Sequence, residues 1–387
     1  MQDISNLERE FLDHFGCHAE VFAHAPGRVN LIGDHTDYND GFVLPAAINF
    51  GTYALAAKRA DRQVSVIARN FDNTRVTFDY TAIDFNEDAP WSNYIAGVVN
   101  ELIIEGKMLG GANIFVSGNV PQGSGLSSSA SLEIAIVKAY AQLYQFDISG
   151  EQAAKIGQRA ENRFVGCNCG IMDQFISALG QQASAMLLDC RNLTYRHVPL
   201  PDDLAIMIIN SNVKRELVDS EYNIRRIQCE QVAHFFKKKA LRDVALSELE
   251  NAKAELESEL YLRARHVISE NIRTRKAYTA MQNGDIGLLS QLMADSHDSL
   301  QNDFAVTTLE LDLLVEILSG VIGNKGGARM TGGGFGGCVV AILPQDMVDE
   351  ARKAVMSQYE LSTGYTPDIY VCTIESGAFS PDLYLTQ

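Results

Sequence analysis

The stretch "PQGSGLSSSAS", Pro121 to Ser131, decides how this chain is read. Before it, "GANIFVSG" from Gly111 is an apolar run of strand character, and after it "SSSASLEIAIVKAYAQLYQ", Ser127 to Gln145, has helical periodicity. A strand, a glycine-rich turn and a helix opening in serines make an anion site. The first N–H groups of a helix lack intrahelical partners, and the helix dipole adds partial positive charge there. Gly123 and Gly125, flanking Ser124 and followed by Leu126, let backbone approach a phosphate closely. Ser127, Ser128 and Ser129 supply hydroxyls for phosphate oxygens or a magnesium ion. One serine suffices to cap a helix, so this loop holds more than a cap requires. It contains no lysine, which excludes the Walker pattern and leaves the countercharge to the helix end, a metal or another segment.

The surrounding composition limits the classes of function. With 387 residues, 46% of them hydrophobic and 21% charged, the chain is globular and long enough for two or three domains. Lys and Arg number 32 against 49 Asp and Glu, so a nucleic-acid partner would need a local basic stripe to override a net charge of -17. The best candidate, Lys237 to Lys239, reads as a solvated helix face. The opening "MQDISNLEREFLDHFG" is acidic where a signal peptide carries lysines, and no stretch approaches the roughly 18 apolar residues of a membrane span. The expectation is a cytoplasmic protein with no membrane partner. Seven cysteines, an odd number running from Cys17 to Cys372, read as reduced thiols, and "CNC" at Cys167 and Cys169 is too tight for a zinc knuckle.

Strand-like runs fill the first third: "VFAHA", "FVLPAAI", "GTYALAAK", "QVSVIAR" and "RVTFDY". Helices follow, among them "SGEQAAKIGQRAENRFVG", whose Ser149 and Gln152 are spaced as a capping box. The pattern restarts at "LAIMIINSN" and continues with long charged helices to about residue 300. This predicts an α+β protein of two domains, residues 1–203 and 204–387.

Two further segments carry chemistry. "PGRVNLIGDHTDYNDG", Pro26 to Gly41, packs Arg28, Asp34, His35, Asp37 and Asp40 into a turn-rich stretch able to meet a polyhydroxylated ligand through many directional hydrogen bonds. A solvated loop and a His/Asp metal site are the competing readings of that stretch. "TGGGFGG", Thr331 to Gly337, matches the dinucleotide fingerprint G-x-G-x-x-G, but the strand-like "CVVAILP" follows where the fingerprint needs a helix. Five glycines there imply backbone passing close to a ligand or another segment.

Together the three segments resemble the three motifs of the GHMP small-molecule kinases: "PGRVNLIGDHTDYNDG" resembles the sugar-binding signature of the galactokinases, "PQGSGLSSSAS" their ATP loop and "MTGGGFGGC" their third motif. "AENRFVGCNCGIMDQFISALG" is similar to the galactokinase pattern as well, so the likeness extends from about Ala23 to about Cys372. The resemblance implies two α+β domains, the N-terminal one with a mixed sheet and helices and the C-terminal one ferredoxin-like, with the active site in the cleft between them. It implies an ATP-dependent sugar 1-kinase that makes galactose 1-phosphate and ADP, uses ATP and Mg2+, and acts as a monomer. By the same resemblance Asp173 is the catalytic aspartate and Arg28 its partner near the transferring phosphate. Magnesium falls to Glu161 and to Ser129 or Ser128. Sugar hydroxyls meet Asp34, His35, Asp37, Gly333 and Tyr222, while Trp91 and Tyr94 lie toward the adenine.

Asp34 stands where that family more often has Glu, one methylene longer. Asp173 opens the helix-like "IMDQFISALG", where a helix N-terminus and an arginine both favour a charged carboxylate. Two roles stay open for it: taking the hydroxyl proton late in the transfer, or orienting the hydroxyl and balancing Arg28. Three rivals to galactose phosphorylation follow from the same scaffold. A non-catalytic sensor would lack the Ser-Ala pair that Ser129 and Ala130 retain, and mevalonate, a branched apolar acid, suits the polar "GDHTDYND" loop poorly. N-acetylgalactosamine would differ only at the sugar 2-position, which the sequence does not read.

Overall fold

Apolar alternation and β-branched content carry five segments into a mixed sheet of the computed structural model, which describes residues 4–121, 125–213 and 218–380. Its strands are β1 (Val21–Asn30), β3 (Pro45–Lys58), β4 (Gln63–Ala68), β5 (Thr74–Asp79) and β6 (Ala112–Gly118), with the two-residue β2 (Phe42–Val43) belonging elsewhere. The order is β1-β3-β6-β4-β5, with β4 and β6 parallel and the other pairs antiparallel. The runs "FVLPAAI" and "GTYALAAK" read as two strands in the sequence. Most of their length is the single strand β3, because no turn interrupts the ladder between Pro45 and Lys58.

One face of this sheet is covered by α1 (Ile4–Phe15), whose buried Leu7 and Phe11 pack on Leu55, Ile67 and Phe115. The main core holds α2 (Ser92–Ile104), α3 (Ser128–Tyr144), α4 (Gly150–Arg159) and α5 (Met172–Leu179). The capping box read at Ser149 and Gln152 is present at the start of α4. That helix passes into a π-helical turn, Ala160–Val165, which carries Glu161. Such turns interrupt the regular ladder and recur at functional sites. A three-stranded sheet of β2, β7 (Ser184–Asp189) and β8 (Tyr195–Pro199) follows.

The second layer begins at β9 (Leu204–Asn210), buried at every position. After α6 (Val218–Phe235), α7 (Leu246–Asn251), α8 (Ser258–Asn283), α9 (Ile286–Ser299) and α10 (Leu309–Ile322), the chain forms β10 (Gly327–Thr331), β11 (Cys338–Pro344), α11 (Val348–Thr363) and β12 (Asp368–Cys372). These strands make an antiparallel sheet of order β10-β11-β9-β12. Numbered within the layer, that is 2-3-1-4 with helices before the second and fourth strands, the split βαβ arrangement of a ferredoxin-like domain. Beyond β12 the chain returns to the first layer. Ile374 bridges Ile48, and Gly377, Ala378 and Phe379 donate to the carbonyls of Gly180, Ser177 and Ala178 at 2.7, 2.9 and 2.8 Å.

The two layers meet at Arg329 on β10, which is 0% exposed. Its Nη2 donates to Asp34 Oδ2 at 2.5 Å, and Nη1 donates to the carbonyls of Leu31 and Asn30 at 3.2 and 3.4 Å. Thr331 Oγ1 adds a bond to the same Asn30 carbonyl at 2.8 Å. Removing one partner of a buried pair leaves the other charge uncompensated, at a cost of about 3–5 kcal/mol. Arg329→Met, which keeps much of the volume and deletes the charge, is expected to lower unfolding stability by about that amount. Urea denaturation checks this, and a midpoint equal to that of the parent protein would remove the clamp from the account.

Candidate active site

The bulge between Pro26 and Arg28 turns β1 toward the serine loop, where Arg28 N–H donates to the Leu126 carbonyl at 3.1 Å. Arg28 therefore projects from a strand and not from the turn-rich loop that the sequence suggested. Its guanidinium takes Asp173 in a fork, Nε to Oδ1 at 2.7 Å and Nη2 to Oδ2 at 2.6 Å, while Nη1 donates to the Gly125 carbonyl at 2.6 Å. Ser127 donates its hydroxyl to the same Oδ2. With φ 60° Ser127 sits in the left-handed region and makes no side-chain cap on α3, so its hydroxyl serves the aspartate and not the helix end. Gly123 and Ser124 lie outside the described residues.

Arg28 and Asp173 line a cavity of about 430 Å³ together with Asp34, His35, Asp37 and Tyr222, and its wall also includes Gly333, Gly125, Leu126, Ser127, Ser128, Ser129, Glu161 and Tyr94. An apolar cavity of about 300 Å³ adjoins it, sharing Tyr94, Ser128 and Ser129. Trp91 lies in this second space, stacked on Phe71 with ring centroids 5.5 Å apart. The residues expected around one substrate pair are thus distributed over two connected spaces. A wider groove of about 1160 Å³ along Arg242, Arg275 and Tyr278 holds none of the motif residues singled out above.

The sugar-signature loop is held largely from α8. Glu270 accepts the Gly33 N–H at 2.9 Å, Asn271 accepts the Phe42 N–H at 2.8 Å, and His266 Nε2 lies 3.2 Å from the Asp34 carbonyl. Burial pushes the Glu270 carboxyl up, but neighbouring charge, chiefly Arg273, outweighs it and holds the group at about 2. Asp34 is 2% exposed, and besides Arg329 it accepts from Asn30 Nδ2 at 3.0 Å and from the Gly332 N–H at 3.2 Å. Gly334 shows why the third motif is glycine-rich: its φ is 79°, and a Cβ there would lie 2.3 Å from the Val306 carbonyl oxygen.

His35 packs its ring between Tyr222 and Phe304, with Nδ1 2.9 Å from the Tyr38 hydroxyl and a buried Nε2 that makes no hydrogen bond of ordinary geometry among the described residues. Burial, reinforced by nearby positive charge, holds its pKa well below the ordinary value, so the imidazole is neutral. Asp37 is pushed the other way, up to about 7, by burial and then by the charge of Asp173. Gly170 makes room for it: a Cβ at that position would lie 1.9 Å from Asp37 Oδ2.

Glu161 is also pushed up to about 7, by burial and the charge of Asp173, against hydrogen bonds from Cys169, Ser129 and Gln174. Among the described residues no group of three His, Cys, Asp or Glu side chains converges as a metal site. The donor set still fits magnesium, which takes one or two carboxylates and fills the rest of its octahedron with water and phosphate oxygens. Glu161 is a buried carboxylate in no ion pair among the described residues, a carboxylate and a hydroxyl sit together there, and Ser129 rather than the exposed Ser128 is the serine beside it.

Several residues at or behind this site were not singled out in the sequence: Arg329, Glu270, His266, Asn271 and Glu133 stand outside the quoted motifs, and Gln174 stands inside one with no role assigned. A signal existed for Arg329, a lone charge inside the fully buried strand "GARMT". Glu133 offered a similar one, an acid among the buried apolar positions of α3.

Comparison with known proteins gives a consistent result. A family model described as the galactokinase galactose-binding signature matches residues 9–58, the GHMP kinases N terminal domain matches 93–181, and the GHMP kinases C terminal domain matches 277–361. The galactokinase of Lactococcus lactis, crystallised in complex with galactose, is 36% identical over 97% of this chain and 98% of its own, with a TM-score of 0.92. Mevalonate kinase of Methanococcus jannaschii is 18% identical over 92% of this chain and 98% of its own, TM-score 0.64. Homoserine kinase of Cytophaga hutchinsonii is 16% identical over 92% and 96%, TM-score 0.62. The last two share the fold.

The raised pKa of Asp37 sets a pH dependence. Between the ordinary aspartate range and about 7, the folded protein retains a proton that the unfolded chain has released, so stability falls as pH rises through that window. Asp37→Asn is expected to melt higher than the parent at pH 8 and to lose less stability between pH 5 and 8. Thermal unfolding at the two pH values is the measurement, and a slope as steep as the parent's would contradict it.

Proposed function

The chain belongs to the galactokinases, within the GHMP small-molecule kinases, and we propose that it transfers the γ-phosphoryl group of ATP to the anomeric hydroxyl of galactose through Arg28 and Asp173. The observation that carries this reading is the forked Arg28–Asp173 pair, braced by Ser127, between the sugar-signature loop and the serine loop.

The sugar is received by Asp37, His35, Tyr222 and the Gly333 backbone, with Asp34 behind them. The Nε2 of His35 is a buried polar atom that a ligand hydroxyl would satisfy. Asp37, on the wall of the same cavity, offers a sugar hydroxyl a further carboxylate. The triphosphate would lie along Gly125 to Ser129, against the first N–H groups of α3, which have no intrahelical partner. Trp91, Phe71 and Tyr94 offer the adenine an apolar, aromatic recess. Glu161 and Ser129 would hold magnesium, which when bound neutralises charge on the phosphate oxygens.

Phosphoryl transfer passes through a loose transition state, so the nucleophile needs positioning more than deprotonation. Asp173 fits that demand. Three donors already draw on its oxygens, and its remaining acceptor capacity orients the anomeric hydroxyl toward phosphorus. The proton reaches the carboxylate as the new O–P bond forms. Arg28 retains charge and reach for the transferring group, since among the described residues only its bond to the Gly125 carbonyl and the fork to Asp173 engage its guanidinium. The seven free thiols suit a reducing, cytoplasmic setting.

Phosphorus NMR of the protein with magnesium, ATP and galactose should show a sugar 1-phosphate resonance, absent with glucose or mevalonate. Arg28→Lys keeps the charge and loses the fork, so kcat should fall by about 10²–10³ with the galactose KM little changed. A Lys variant turning over at the parent rate would sink the role of the fork. Turnover of another acceptor in place of galactose would move the substrate assignment.

A further inference from the structure

Gln174 follows Asp173 on α5 but points inward and is 0% exposed. Its Nε2 donates to Glu161 Oε2 at 2.7 Å and to Glu133 Oε2 at 2.9 Å. An amide nitrogen carries two hydrogens, and here each meets a carboxylate, one from the π-helical turn and one from α3. The Cys169 thiol donates to the same Glu161 oxygen at 3.3 Å. The arrangement is tightly enclosed: a Cβ on Gly157 would lie 3.0 Å from Gln174 Cγ and 3.1 Å from Glu133 Oε2.

Such a cluster is poor material for a core. Glu133 is 0% exposed with Oε1 unpartnered, Gln174 Oε1 is unpartnered too, and neither Glu133 nor Glu161 has an ion-pair partner among the described residues. Apolar side chains of the same volume would pack there at lower cost. What the cluster achieves is geometric. Two donors hold Oε2 of Glu161 from behind, and they fix the plane of a carboxylate whose residue lines the cavity beside Ser129. We propose that Gln174, itself held by Glu133, is the positioning residue that orients Glu161 for a divalent cation carried with the nucleotide. The proposal rests on the reading of Glu161 as a magnesium ligand, and it extends it to two residues with no contact to nucleotide or sugar. Outer partners of this kind typically set metal affinity within about 10- to 100-fold.

Manganese, read by electron paramagnetic resonance in the presence of ADP, reports metal affinity without turnover. Gln174→Met is expected to weaken manganese binding about tenfold. Its kcat should recover at saturating magnesium, with the galactose KM unchanged. Gln174→Asn keeps an amide that cannot span both carboxylates; it should shift affinity in the same direction and stands in should the Met variant fail to fold. Glu133→Gln preserves an acceptor for the amide and should bind manganese as the parent does, whereas Glu133→Leu should not. Parent-like affinity in both Gln174 variants, while Glu161→Gln binds weakly, overturns the positioning role and leaves the metal reading intact. Parent-like affinity in Glu161→Gln itself overturns the metal reading, and the proposal with it. A kcat that stays low at every magnesium concentration with unchanged manganese affinity also overturns it, since α5 would then have moved Asp173.

Discussion

The buried pair between Arg329 and Asp34 is the constraint around which the site is assembled. A guanidinium with no solvent must find its partners in the protein, and here it finds one carboxylate and two carbonyls of the strand and loop that carry the sugar signature. That requirement draws β10 against the end of β1 and so fixes where the two domains meet. The glycine loop following β10 then arrives beside Asp34 by necessity, with the Gly332 N–H on Oδ1. From the other side α8 grips the same loop through Glu270, Asn271 and His266. The shorter side chain at position 34 fits this account: its carboxylate is drawn back onto Arg329, Asn30 and Gly332, and its main service is to the scaffold.

On that scaffold the site is electrostatically unfinished. Asp37 and Glu161 are both pushed up to about 7 because burial and the charge of Asp173 oppose their ionisation. Among the described residues only Asp173 of the three is paired with an arginine. A protein that crowds carboxylates without cations gives up stability to do so, and such deficits are characteristic of places where a ligand completes the structure. Sugar hydroxyls at Asp37 and His35 and a cation at Glu161 are the missing complements under the proposed reading.

Much of this was legible in the sequence because it depends on local chemistry. Serines and glycines before a helix mark an anion site wherever they occur, and the capping box at Ser149 follows from four residues. Strand periodicity outlined the five-stranded sheet and part of the antiparallel one, but not β7 and β8 of the three-stranded sheet. What escaped depends on contacts across long separations: Arg329 meets Asp34 across 295 positions, and Glu270 meets Gly33 across 237. No local rule pairs such residues. The position of Arg28 was misread as loop for a related reason, since the strand extends to Asn30 only because β3 pairs with it through Pro45. The unbroken β3 is the same effect, tertiary pairing overriding the local turn signals.

The fork on Asp173 bears most directly on how the chemistry is divided. A carboxylate free of partners would have more open lone pairs for a proton, yet this one is held by Arg28 at both oxygens and by Ser127 at one. If deprotonating the sugar were the difficult step, these contacts would work against catalysis, because they occupy acceptor positions that an arriving proton would need. They are an advantage if the difficult step is bringing a neutral hydroxyl into line with a phosphorus whose bond to its leaving group is already loosening. The fork fixes the aspartate, the aspartate fixes the hydroxyl, and the same arginine stands ready for the charge on the moving group. Positioning and charge balance therefore come from one pair of side chains, which accounts for both the strand bulge that aims Arg28 and the left-handed serine that braces its partner.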